Sequence, residues 1–302
     1  MQDSDQKAAY GRAEWVAPDL RRILAPNPSP MTGRGTNSYL LGQTDLALID
    51  PGPRDPAHLD AILAAVHPGQ KITHILVTHA HRDHSELASA VADATGAPVL
   101  AFGAADAGRR PLMQALADRE PPIGGEGVDQ AFQPHQTLAD GAEISGAGWR
   151  ITALHTPGHF GNHLCLAWQD QVFSGDHVMG WSTSVVAPPD GDMGAYFASL
   201  DKLAAVQATR LWPGHGDAVE NPAARIEDLI RHRQARGEAI LEQLKNGPAD
   251  ASSLAQAIYH DVPVTLQRAA AMNVFAHLID FTDRNLVEPI GHISTSGRFR
   301  VI

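Results

Sequence analysis

Cysteine is almost missing from this chain, which has one, Cys165, in 302 residues. No intrachain disulfide can form, so a packed core must hold the fold, and a reducing compartment is expected. Positive charge is scarce as well. Lys and Arg total 23 against 34 Asp and Glu, a net charge of −11, which weighs against a broad nucleic-acid-binding face. No stretch approaches the roughly 18 consecutive apolar residues of a membrane span. The opening MQDSDQKAAYGRAEWV lacks an apolar run behind a basic start, so no secretory leader is expected. These absences together predict a cytoplasmic protein with no membrane partner. Repeats and low-complexity tracts are missing too. With 43% apolar and 19% charged residues, the composition is globular, and the length suits one large domain plus a small one.

Histidine is what the chain has in quantity, 16 in all. The stretch THAHRDHS, residues 78–85, places His79, His81, Asp83 and His84 within six positions. Short strand-like runs surround it: 37–42, 46–52, 72–80, 98–102, 151–159, 163–168, 171–176 and 208–216. Helical patterns lie between them at 56–66, 85–95 and 194–206. Strands mixed with helices in this order predict a layered α/β domain. The region 104–136, with PPIGGEG inside it, is poorly patterned and reads as a loop bordering a site.

The ligand-type side chains gather where strands stop. THAHRDH ends one, TPGH with His159 a second, SGD with Asp176 a third and PGHG with His215 a fourth. Strand ends project side chains from a rigid sheet into a crevice, as a shared site requires. Imidazole and carboxylate suit Zn, Fe or Mn without any thiolate. Five His and two Asp suffice for two cations sharing one carboxylate. A solvated His/Asp loop is the bland alternative, and four strand-end matches in order outweigh it.

The pattern H-x-H-x-D-H followed by His, Asp and His resembles the metallo-β-lactamase-fold hydrolases. The resemblance implies an αββα sandwich with its site at one edge of two sheets. By carry-over, His79, His81 and His159 hold one metal, Asp83, His84 and His215 hold a second, and Asp176 bridges them. The phrases TNSYLLG, LIDPG, SGDHVMG and WPGHG, with the run from Asn221, look like the β-lactamase-like protein 2 group and its glyoxalase II relatives. That subgroup appends a small winged-helix module. Here a long helix at 222–246, helices near 252–260 and 264–283 and an extended end fit it. The expected division is 1–220 for the metal domain, 221–246 for a connecting helix and 247–302 for the module. From residue 221 onward acidic and basic residues balance. The module is therefore expected to pack against the metal domain or form a homodimer contact, not to bind a polyanion.

Two divalent cations about 3.5–4 Å apart can activate a shared water as nucleophile. The expected enzyme is a dinuclear metal-dependent hydrolase of a small ester, thioester, lactone or phosphodiester, with Zn first and Mn or Fe next. Asp83 and Asp176 are the acidic residues of its centre, and His177 is the candidate proton donor. Cleavage of single-stranded RNA is the alternative activity, and a metal-sensing nucleic-acid-binding regulator the alternative class. Asp50 either orients a ligand imidazole or caps the turn before Pro51. Asn162 and His163 are expected to support the ligands, and Trp181, Ser182, Thr183 and Tyr196 either line a pocket or simply pack. Cys165 reads as a small core residue. His58, His67, His74, His232, His260, His277 and His292 have no partner motif.

Overall fold

Side-chain alternation along the strands sets the layers. The computed structural model describes residues 10–119, 127–260 and 263–302, Val264 by its backbone alone. The first half contains β1 (Ala13–Ala17), β2 (Leu20–Leu24), β3 (Asn37–Leu41), β4 (Asp45–Ile49), α1 (Pro56–Ala64), β5 (Lys71–Leu76), α2 (Arg82–Ser85), α3 (Ala88–Thr95), β6 (Val99–Ala101), α4 (Pro111–Arg119) and β7 (Gln136–Thr137). Next come β8 (Glu143–Gly146), β9 (Trp149–His155), β10 (Leu164–Trp168), β11 (Gln171–Gly175), α5 (Met193–Val206), β12 (Arg210–Pro213) and α6 (Pro222–Leu244). The chain closes with β13 (Ala249–Asp250), α7 (Ala251–Ile258), α8 (Gln267–Asp283), β14 (Val287–Ile290) and β15 (Arg298–Val301).

Strands β1 to β7 form one sheet in chain order, and a second sheet runs β12-β11-β10-β9-β8. On β4, Leu46 and Leu48 pack with Ile62 of α1 and Val91 of α3. Their neighbours Ala47 and Ile49 turn the other way, onto Ile151, Leu166 and Phe173 of the second sheet. On β10, Leu164 and Leu166 face the first sheet. Cys165 between them joins Leu200 of α5 and Ile226 of α6. Period-two alternation on both sheets therefore gives helix, sheet, sheet, helix. This is the expected αββα sandwich, and each fully buried aliphatic side chain stabilises it by about 1.5–3 kcal/mol.

Local chemistry places the helices. The Asp55 carboxylate accepts from His58 N (3.0 Å) ahead of Pro56, and Asn221 accepts from Ala224 N (3.2 Å) ahead of Pro222. Each is a capping side chain followed by proline at the first helical position.

After α6 the chain adds a small unit, with a third sheet ordered β13-β15-β14. Its core joins Ile240 and Leu244 of α6 to Leu254, Phe275, Leu278 and Phe299. Gly237, mid-helix, lets α6 approach α8, since a Cβ there would lie 2.9 Å from Phe281 Cζ. Met113 and Leu116 of α4 belong to the same cluster. The expectation of an unpatterned loop over 104–136 is thus corrected: part of it is an amphipathic helix, with its apolar face covered by the C-terminal unit. Positions 121–126 of PPIGGEG, and residues 1–9 of the opening stretch, lie outside the described residues. Strands β1, β2 and β8 were not anticipated either. No helix among the described residues is long and apolar enough to cross a membrane.

Candidate metal centre

Parallel pairing directs the site. Strands β4, β5 and β6 run parallel, as do β11 and β12, so their carboxyl ends open on one edge of the sandwich. After β5 the chain passes through Thr78, His79 and His81, then makes the single turn α2, which carries Asp83 and His84. The segments after β9, β11 and β12 deliver His159, Asp176 and His215.

The seven side chains meet as two groups. Donor atoms of His79, His81, His159 and Asp176 lie within 4.8 Å of one another, as do those of Asp83, His84 and His215. In the first group His79 Nε2 is 2.8 Å from His81 Nδ1, and His159 Nε2 is 3.1 Å from the same atom. In the second, His84 Nε2 is 3.3 Å from His215 Nε2, and His215 Nε2 is 3.3 Å from Asp83 Oδ2. Asp176 spans both. Its Oδ1 is 3.4 Å from His84 Nε2, and its Oδ2 is 3.3 Å from His215 Nε2 and 3.8 Å from His159 Nε2.

The donor set fits divalent cations. Imidazole lone pairs at these separations repel unless something positive lies between them, and Asp176 Oδ1 is buried with no hydrogen-bond donor. A buried acceptor without a partner is costly, and a cation would satisfy it. Protonation preferences point the same way. Burial and the neighbouring imidazoles hold His79 well below its ordinary value, burial first and then His159 push His81 down to about 3, and burial lowers His159. The other group is the reverse. Burial disfavours charge on His84 and His215, yet the carboxylates outweigh it: Asp83 and Asp176 raise His84 well above its ordinary value. Asp176 and Asp83 raise His215 to about 10. Burial likewise opposes charge on Asp83 and Asp176, and His84 and His215 keep both low. One group offers neutral nitrogens, and the other has carboxylates seeking positive charge.

Far-side hydrogen bonds fix the imidazoles, as metal-binding histidines require. His84 Nδ1 donates to Asp50 Oδ2 (2.9 Å), His159 Nδ1 to Val185 O (2.6 Å) and His215 Nδ1 to Gly35 O (3.2 Å). Asp50 also accepts from Thr78 N (2.7 Å) and Thr78 Oγ1 (2.8 Å), so of its two expected roles it performs the orienting one. Thr36 Oγ1 donates to Asp83 Oδ2 (3.0 Å). Gly214 leaves the room: a Cβ there would sit 2.5 Å from both Asp176 Oδ1 and His84 Cε1. Sequence reasoning gave no role to Thr36, Thr78, Gly35, Val185 or Gly214. Thr36, Thr78 and Gly214 lie inside the quoted phrases TNSYLLG, THAHRDHS and WPGHG, so membership of a motif was the available signal.

The remaining candidates divide. Asn162 accepts from Ala80 N (3.3 Å) and donates to Ala104 O (3.0 Å), bracing the loop that carries His79 and His81. His163 lies 3.0 Å from Thr156 Oγ1 through Nδ1. His177 is fully buried, with both ring nitrogens unpartnered and its ring 4.7 Å from that of Tyr196. Tyr196 is equally buried and donates to His177 O (3.0 Å). Both are thus packed in the interior, not at the mouth. Ser182 O accepts from Arg225, and Thr183 borders a groove along α6. Trp181 alone is an exposed large residue, 46%, its ring against Gly33 and Gly216. His58 and His277 are core residues, and His67, His260 and His292 are exposed.

Residues 31–215 match the Metallo-beta-lactamase superfamily. The chain is 35% identical over 268 residues to the Beta-lactamase-like protein 2 homolog of Drosophila melanogaster, covering 85% of each. Its fold superposes on a metallo-beta-lactamase family protein from Thermus thermophilus with a TM-score of 0.76 and 25% identity, over 95% of this chain and 100% of that one. TTHA1623, solved in a di-iron-bound form, is 30% identical with a TM-score of 0.51, over 68% of this chain and 97% of that one.

Proposed function

Since the chain belongs to the metallo-beta-lactamase superfamily, whose members are generally metal-dependent hydrolases, we propose that its seven converging side chains hold two divalent cations for hydrolysis of a small ester, thioester, lactone or phosphodiester. The observation that carries this reading is Asp176, whose two oxygens lie 3.3–3.8 Å from imidazoles of both groups. His79, His81 and His159 would hold one cation, Asp83, His84 and His215 the other, with Asp176 shared. When bound, such a pair supplies Lewis acidity and a hydroxide nucleophile at neutral pH. Zn fits the donors best, and Mn or Fe would also be accepted.

The protein's own groups do the rest. Asp50 keeps the Nδ1 proton on His84, leaving Nε2 free to face the centre. Val185 O and Gly35 O do the same for His159 and His215. Trp181, with Met31 two residues from Gly33 and also 46% exposed, offers an apolar rim for the non-reacting part of a substrate. We assign His177 to the wall behind the centre instead of to proton transfer, because its ring has no accessible surface. We read α6, β13, α7, α8 and the β14–β15 hairpin as a winged-helix arrangement with a structural role, since its charges balance.

Elemental analysis after loading with Zn, Mn or Fe, followed by assay on chromogenic esters, thioesters, lactones and bis-phosphodiesters, tests the proposal. Two metals per chain with turnover of at least one bond class is the expected result. Saturation at one metal would remove the dinuclear reading. A single-stranded oligoribonucleotide added to the panel tests the alternative substrate, and its cleavage in preference to every small substrate would replace the first reading.

A further inference from the structure

Arg233 has no purpose in the metal reading, yet it is among the most deeply buried large side chains, 1% exposed on α6. A buried guanidinium is costly unless its donors are met, and here neutral acceptors meet both terminal nitrogens, while Nε has no partner. One terminal nitrogen donates to Ser184 O, and the other to Asn273 Oδ1 at 3.0 Å. The guanidinium also stacks over the Tyr196 ring, 5.4 Å from its centroid. Asn273, on α8, accepts at the same oxygen from Val186 N (3.1 Å). Helices α6 and α8 thus grip the backbone on both sides of Val185.

The gripped segment touches the centre twice. Val185 O receives the Nδ1 proton of His159 at 2.6 Å. Ser184 Oγ lies 2.5 Å from Asp176 O and 2.9 Å from His177 O, its hydroxyl shared between the two carbonyls. His159 and Asp176 both belong to the first donor group. The second group leans elsewhere, on Thr36, Asp50 and Gly35.

We propose that Arg233 and Asn273 are positioning residues that act through segment 184–186 to aim His159 and Asp176, so that the C-terminal unit governs affinity at the first cation subsite. The inference rests on the two-cation reading above. Chelator-competition isotherms for Zn, with the melting temperature of each metal-free protein, test it on the full chain. Arg233→Met and Asn273→Ala should each weaken one of the two Zn ions by about 10–100-fold and the other, which meets the segment only through the shared Asp176, by less. The double variant should lose no more than the worse single, because both act on one segment. Arg233→Lys should recover only part, since one ammonium cannot serve two acceptors as a fork does. Leu254→Ala, in the apolar core of the same unit and with no side-chain hydrogen bond to the segment, should lower the metal-free melting temperature without moving the isotherm. Wild-type affinity at both subsites in Asn273→Ala would overturn the proposal even if Arg233→Met fails to fold. An equal shift in Leu254→Ala would also overturn it, by reducing the relay to general stability. A wild-type chain that binds fewer than two Zn would defeat the two-cation reading instead.

Discussion

The strand-end edge and the C-terminal unit are built from opposite materials. At the edge the buried groups are His79, His84, His159, Asp176 and His215, crowded so that imidazole nitrogens face one another. In the C-terminal unit they are Leu254, Phe275, Leu278 and Phe299 around α4, α6 and α8. The edge keeps acceptors unsatisfied at a cost in stability, and apolar burial elsewhere offsets that cost. Arg233 and Asn273 aside, substitutions should therefore separate: those at the edge remove chemistry, and those in the apolar core of the unit remove stability.

The largest expected break in that symmetry is Asp176→Ala. With the shared carboxylate gone, turnover should fall by about three orders of magnitude, corresponding to the several kcal/mol a metal centre contributes. Metal content should drop on mild chelation. Full activity with two metals retained would remove Asp176 from its bridging role. Phe299→Ala is the mirror experiment. Its side chain is fully buried, so denaturant unfolding should show a loss of about 3–5 kcal/mol, with Zn affinity of the folded fraction unchanged. Reduced Zn affinity there would show that the two regions are not separable in this way.

Asp50→Asn should have an intermediate effect. It keeps the shape but weakens acceptance from Thr78 and His84, and metal affinity should fall about 10–100-fold while the circular dichroism spectrum stays the same. An unchanged Zn isotherm would return Asp50 to a turn-capping role.

The smallest effect is a pH dependence inside the unit. Burial, with Arg233, His232 and Arg284 nearby, pushes His277 down to about 3. Its folded value lies below the unfolded 6.5, so the neutral form stabilises the fold above that pH, and the contribution is lost as pH falls toward the folded value. Between pH 6.5 and 5 the loss should reach about 2 kcal/mol. His277→Leu should flatten that part of the metal-free stability curve, and an unaltered slope would assign the acid sensitivity elsewhere.

All seven candidate ligands were legible in the sequence because each follows a short β-run whose apolar pattern is local. Helix α4 was not. PLMQALADR buries only Met113 and Leu116 fully, and its apolar face makes sense only beside helices more than a hundred residues later. Strands β1 and β2 were hidden similarly, since Arg21, Arg22 and Glu14 break their pattern; Arg21 is nonetheless buried, donating to Ala65 O (2.5 Å) and Gln70 (3.1 Å). The tail was expected to pack against the metal domain or form a homodimer contact, and among the described residues both donor groups lie before residue 216. Its reach to Val186 through Asn273, 87 positions away, left no trace in any local spacing.

The scattering of the ligands along the chain also has a temporal side. His84 and His215 are 131 positions apart, and Gly214 O accepts from Asn37 N at 2.8 Å, tying the third strand to the loop after the twelfth. Closing loops of that length carries an entropic toll that must be met before the contacts form. During synthesis, no fragment that stops short of residue 215 holds both donor groups, so an incomplete chain leaving the ribosome has no finished trap for metal. The centre closes only once both sheets are in place.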